Sequence, residues 1–152
     1  MIGLDRLWAK LERFPLSILL LAMRIGVGAV FFRSGLLKLD SWQFAIQLFR
    51  DEYRVPLLDP VLAAQLATAV EIGVPPLLFV GLATRLATLP LLGMIAVIQT
   101  FVYPNAWSDH LLWASALVLV LTRGPGVFSL DHWISRAWTA RARHPATQSA
   151  AV

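Results

Sequence analysis

Apolar residues run along this chain in four long blocks: Leu16–Leu39, Val61–Leu82, Leu86–Tyr103 and Trp107–Thr122. A helix of about 20 apolar residues crosses the hydrocarbon layer of a bilayer. The pattern therefore predicts an all-α protein, a four-helix transmembrane bundle forming one domain over 1–152. The fourth block is short, and is expected to stand nearly upright or where the bilayer thins. A cleaved signal peptide is the rival reading of the first block. Its apolar run passes Ala29 without a small-x-small cleavage pattern and three more spans follow, so it reads as a retained helix.

Proline and glycine mark the breaks. Pro56 and Pro60 precede the second span, Pro104 ends the third, and "RGPG" (Arg123–Gly126) stops the fourth, with Gly124 placed as a C-terminal cap. Pro75 and Pro76 lie inside the second span. There they are expected to kink the helix and free carbonyls that another helix or a polar group must satisfy.

Outside the spans the pattern turns amphipathic. Leu4, Leu7, Trp8, Leu11 and Phe14 recur at helical spacing with Arg6, Lys10 and Arg13 between them. Leu130, Trp133, Ile134, Ala137 and Trp138 do the same within 129–141, beside Arg136 and Arg141. Both stretches predict flanking interfacial helices. A third such stripe, Trp42, Ala45, Ile46, Phe49 and Tyr53, falls between the first two spans.

Composition agrees with a membrane protein. The chain is 58% hydrophobic with a mean hydropathy of +0.69, and only 14% of its residues are charged. Soluble domains carry about a quarter. Cysteine is absent, which excludes disulfides and thiol chemistry in this subunit. The net charge of +4 does not point to nucleic acid, because the basic residues flank spans instead of forming a patch. Arg6, Lys10, Arg13, Arg85, Arg123, Arg136, Arg141 and Arg143 fall on one side, against Lys38, Arg50 and Arg54 on the other. The positive-inside rule then predicts a multi-pass protein of a bacterial-type cytoplasmic (inner) membrane, with both termini cytoplasmic.

Charges inside the spans need a reason, since a lone one costs roughly 3 kcal/mol on insertion scales. Arg24 lies about eight residues from the inner end of its helix and Glu71 about ten from the outer end of the next. Matched depth predicts an Arg24–Glu71 pair near the midplane. At 100° per residue, Arg24, Gly28, Gly35 and Lys38 share one stripe, where glycines admit a second backbone or a ligand. Arg33 faces the opposite way and is expected to snorkel. Ala64, Thr68, Glu71 and Pro75 share a face of the second helix.

Gln99, Tyr103, Trp107, His110 and Trp113 gather at the outer ends of the last two spans. With Arg24, Lys38 and Glu71, this group could hold a quinone or lipid headgroup. An aromatic belt with a helix N-cap at Ser108 is the alternative reading of the same residues. The three histidines, at 110, 132 and 144, are too scattered for a metal site, and no catalytic nucleophile arrangement or phosphate loop is present.

Three stretches, "MRIGVGAVFFRSGLLKLD", "AVEIGVPPLLFVGLATRLA" and "RGPGVFSLDHW", together resemble the DoxX family of small membrane proteins. The family pattern falls on Arg24, Gly28, Gly35, Lys38, Glu71, Gly81, Arg85, Gly124, Gly126, Ser129, Leu130 and Asp131. Many relatives carry a histidine where this chain has Arg33 or Ser34, so no histidine-based site carries over there. The resemblance implies a four-helix inner-membrane protein linked to redox systems. Relatives are associated with quinone-linked sulfur oxidation, with complexes that pair oxidoreductases with detoxifying enzymes, or with metal-peptide biosynthesis.

These readings lead to a membrane subunit of a quinone-linked redox or detoxification system, with quinone or quinol as the expected cofactor. The expected partners are the lipid bilayer, redox proteins and further copies of this chain. A non-enzymatic scaffold that anchors partner proteins is one alternative. Transport of a small solute or metal complex, as an oligomer, is another.

Overall fold

The structure is a computed structural model and describes residues 12–143 and Trp8. Most of the N-terminal amphipathic stripe (Leu4, Arg6, Leu7, Lys10 and Leu11) lies outside the described residues. Among the described residues every regular element is helical. In chain order these are α1 (Leu16–Asp40), α2 (Trp42–Leu48), α3 (Pro60–Val80), α4 (Thr84–Val97), α5 (Trp107–Arg123) and α6 (Leu130–Arg143). A π-helical turn extends α2 over Phe49–Tyr53, and another extends α4 over Ile98–Val102.

Three of these helices are long and apolar enough to cross a membrane: α1 with 25 residues, α3 with 21, and α4 with its π-helical turn, 19 in all. The 17-residue α5 packs against both α1 and α4, while α3 packs against α1 and α4. Val27, Phe31, Leu78, Leu91, Ile95 and Leu117 form the core where they meet. Outward-facing positions are apolar too, among them Ile25, Val30, Leu36, Leu66, Leu89 and Leu112, all exposed. In water such a surface would aggregate; against lipid tails it is solvated. We call the end holding the start of α1 and the whole of α6 proximal, and the opposite end distal.

Local chemistry sets the helix ends. Asp59 caps α3, its Oδ1 accepting from the N–H groups of Val61 (2.9 Å) and Leu62 (3.3 Å), with Pro60 in the first helical position. Gly124 ends α5 at φ +84°, its N–H donating to Val120 O at 2.9 Å. Ser108 is not a cap: α5 begins one residue earlier, after Ala106, with no side-chain cap. The α2 stripe also departs from the interfacial expectation. Ala45 and Phe49 are buried, and Phe49 joins Ala63 and Ala64 in a small core that draws this segment onto the start of α3.

The two stripe glycines serve helix packing. A Cβ on Gly28 would lie 2.6 Å from the Phe79 ring, and one on Gly35 would lie 2.9 Å from Glu71 Cβ and from the Ile72 side chain. Both therefore let α3 close onto α1.

Candidate functional site: a polar cavity at the distal end

The expected Arg24–Glu71 pair does not form. Since Gly28 faces Phe79 and Gly35 faces Glu71, one further turn of α1 brings Arg24 level with Gly81, just past the end of α3. Helix α1 overshoots α3 at the proximal end by about eight residues, roughly 12 Å at 1.5 Å per residue. Depths counted from each helix's own end were therefore misaligned by that amount. Arg24 is fully buried and its Nη2 donates to the carbonyl of Phe128. Its Nε and Nη1 have no partner among the described residues.

That proximal junction is built from the motif residues. Gly81 adopts φ +70°, and a Cβ there would collide with Arg24 Nη1 and with Ser129. Asp131 reaches back to α4: its Oδ1 accepts from Ala83 N–H at 2.7 Å and its Oδ2 from Thr84 N–H at 2.9 Å. This carboxylate holds Ala83 at φ +46°, a left-handed conformation that a non-glycine residue adopts only at a cost. Asp131 N–H in turn donates to Gly81 O at 2.9 Å. The SLD and GLATR motifs are thus two halves of one lock.

Glu71 instead meets Lys38. Lys38 Nζ lies 2.7 and 2.8 Å from the two carboxylate oxygens, and donates to Ser34 Oγ at 2.9 Å. Ser34 Oγ donates to Glu71 Oε1 at 3.1 Å. Lys38 and Ser34 are one helical turn apart on α1, so both point at the same place on α3.

This cluster forms part of the wall of a cavity of about 210 Å³ enclosed by α1, α3, α4 and α5 and bordered by the π-helical turns. Its other polar members are Tyr53, Tyr103 and His110; Phe31, Phe49, Met94 and Trp113 supply much of its apolar lining. Phe31 and Trp113 meet edge to face at 5.8 Å. Pockets for drug-sized ligands begin at about 300 Å³, so this space suits a single ring whose tail leads outward.

His110 is 4% exposed and its Nδ1 lies 2.6 Å from Gln99 Oε1. The Gln99 amide is oriented by its Nε2, which donates to Pro104 O at 2.8 Å. Gln99 therefore presents its oxygen to the ring, and Nδ1 carries the donated proton. In the neutral ring Nε2 is then an acceptor, and it has no hydrogen-bond partner among the described residues. At the distal rim, Tyr103 donates to Glu52 Oε1 at 2.8 Å and stacks edge-on with Tyr53 at 5.7 Å. Both phenols ionise above their ordinary range. For Tyr53 the main cause is burial; for Tyr103 it is burial, then the hydrogen bond to Glu52.

Of the expected site residues, Lys38, Glu71, Tyr103 and His110 border this cavity. Gln99 stands behind it, anchoring His110. Trp107, at the start of α5, is 62% exposed and does not line it, and Arg24 belongs to the proximal junction. Sequence reasoning missed Ser34 and Tyr53. The spacing of four to Lys38 could have found Ser34; Tyr53 already stands in the stripe with Phe49, and the packing of that segment onto α3 is what brings it to the cavity.

The DoxX family model matches residues 19–104, more than half of the chain. The chain belongs to the DoxX family. No curated protein and no solved structure matches it. In this DoxX protein the matched segment runs from Leu19, inside α1, to Pro104, and so includes the Lys38–Glu71 pair and every cavity residue named above except His110 and Trp113. The Asp131 half of the proximal lock lies beyond it.

Proposed function

We propose that this DoxX protein is a quinone-binding membrane subunit of a redox or detoxification system, and that its distal cavity takes the ring of a quinone or quinol. The carrying observation is chemical contrast. An ion pair, a serine, two rim phenols and a histidine with an open acceptor nitrogen border a ring-sized space whose remaining lining is apolar, between membrane helices. In this reading α5 completes a four-helix transmembrane bundle, and the basic proximal end lies at the cytoplasmic face of the inner membrane. A quinol hydroxyl donates to His110 Nε2, and the opposite hydroxyl donates to Glu71 Oε2, which among the described residues otherwise accepts only from Lys38. Lys38 and Ser34 hold the Glu71 carboxylate in place. The chain's own residues bind the ring and move its protons, while a partner protein supplies the electron path.

Calorimetric titration of the detergent-solubilised protein with a short-tailed quinol tests this. Saturable binding is expected, weakened about tenfold or more in Glu71→Gln and in His110→Phe, the loss of one good hydrogen bond. Wild-type affinity in both folded variants would sink the reading.

An anchoring role is the second reading, and α6 favours it. Trp133, Ile134 and Trp138 are 65%, 46% and 74% exposed on a helix that also carries Arg136 and Arg141. That surface suits the membrane interface or a partner seated there. Co-purification from native membranes with and without residues 130–143 separates the two, since only anchoring predicts loss of a partner with quinol binding intact.

A further inference from the structure

The proximal end holds a second concavity of different chemistry. It is an open cleft of about 360 Å³ where the starts of α1, α4 and α6 meet the end of α5. Arg85, Arg123 and His132 supply its cationic and titratable groups, Ser17 and Ser135 its hydroxyls, and the turn after α5 part of its floor. Arg85 lies along that turn: a Cβ on Gly124 would be 3.4 Å from its Nη2.

Neither Arg85 nor Arg123 has a carboxylate partner among the described residues, where the ion pair found is Lys38–Glu71. Asp131 also borders the cleft, but both its oxygens are engaged by the amides of Ala83 and Thr84. It also lies within Coulombic reach of the buried Arg24, which balances its charge from inside. The two exposed guanidinium groups therefore leave the cleft positive.

The rim is apolar. Leu16, Val127 and Leu130 are each 45% exposed, and Phe128 is 54% exposed, beside a cleft whose walls include Leu16 and Val127. A ligand for this place must be anionic at one point and apolar alongside. A free anion satisfies the first condition only. Basic recesses between membrane helices on the positively charged side of a protein hold anionic headgroups, and guanidinium forks match phosphate oxygens.

We propose that this cleft binds the phosphate of an anionic phospholipid through Arg85 and Arg123, with the acyl chains lying over Leu16, Val127 and Phe128. Such a lipid would seat the α5–α6 turn and the proximal lock at a defined depth in the leaflet. The assignment is independent of what occupies the distal cavity.

Native mass spectrometry of the protein in detergent, with equimolar phosphatidylglycerol and phosphatidylcholine, tests it. Phosphatidylglycerol is expected to be retained preferentially, and Arg85→Gln/Arg123→Gln to reduce that preference by tenfold or more, at about fivefold per arginine. Ser135→Glu, which places a carboxylate in the cleft from an exposed position, is expected to do the same even if the double variant folds poorly. Arg136→Gln/Arg141→Gln, on α6 outside the cleft, is expected to keep the preference. Equal retention of both lipids overturns the proposal, as does an equal loss in the α6 pair. Displacement of phosphatidylglycerol by an equal concentration of inorganic phosphate also overturns it, because the apolar rim would then contribute nothing.

Discussion

Lys38 Nζ sits between the two carboxylate oxygens of Glu71, 2.7 Å from one and 2.8 Å from the other, with side chains only 12% and 4% exposed. Ser34 closes the triangle from one turn earlier on α1. In an enclosed pair each charge is costly without the other: removing one partner costs about 3–5 kcal/mol, whereas replacing both with apolar groups is often neutral.

Lys38→Met and Glu71→Leu are therefore each expected to destabilise the protein by about 3 kcal/mol, and the double variant to stay within about 1 kcal/mol of the wild type. Reversible unfolding in mixed detergent measures all three. Additive losses would show that the pair is not the unit of stability. The double variant, if folded, is also expected to lose quinol binding, which separates the functional use of the pair from its structural one.

Asp131 makes a comparable commitment at the other end, holding two backbone amides of a helix that starts 47 residues earlier. Asp131→Ala removes both acceptors and leaves Arg24 buried without its facing charge. A loss of about 2–4 kcal/mol is expected, above the roughly 1 kcal/mol of an ordinary cap. Adding Arg24→Leu to that variant is expected to recover part of the loss, because no uncompensated charge then remains. No recovery would mean that capping alone explains the effect.

The helices and the polar cavity were legible in the sequence to different degrees, for physical reasons. An apolar run of span length is a local signal, so α1, α3 and α4 could be read directly. Register is not local. The offset of α1 against α3 follows from Gly28 meeting Phe79 and Gly35 meeting Glu71, contacts that no single helix displays. Arg24 was accordingly assigned to the wrong partner, since its carbonyl acceptor lies 104 residues away at Phe128. Lys38, Glu71 and His110 were legible because a polar group in an apolar run is conspicuous wherever the register falls. Tyr53 reads from the sequence only as part of an interfacial stripe, because its packing onto the start of α3 is a contact that the segment alone does not display.

Two glycines nine residues apart on α1 provide a sharper test of that register. A Cβ on Gly35 would press 2.9 Å from Glu71 Cβ, an atom fixed to the α3 backbone, whereas one on Gly26 would meet nothing within 4 Å. Gly35→Ala forces α1 and α3 apart and is expected to cost about 1–3 kcal/mol, the usual range for overpacking. Gly26→Ala is expected to be neutral or slightly stabilising, since alanine is the better helix former. The same unfolding measurement decides between them, and equal effects would contradict the helix pairing described above.

The two rim phenols make the distal end sensitive to alkali, and the chain contains no other tyrosine, so phenolate absorbance reports on them alone. Burial raises the Tyr53 pKa, helped by the charges of Glu52 and Glu71, although the neighbouring Tyr103 hydroxyl works the other way. Burial and the hydrogen bond to Glu52 raise that of Tyr103. A folded value above the unfolded one, about 10, stabilises the protein fully below pH 10. That contribution is then lost as the pH climbs through the folded values. Spectrophotometric titration is expected to show both phenols still protonated at about pH 10 in the folded protein, and ionising at the ordinary value once it is unfolded. Glu52→Gln removes a charge from beside both groups and is expected to move the Tyr103 midpoint down more than that of Tyr53, because only Tyr103 donates directly to that carboxylate. An unchanged titration in Glu52→Gln would mean that the Tyr103–Glu52 contact does not persist in the membrane-embedded protein.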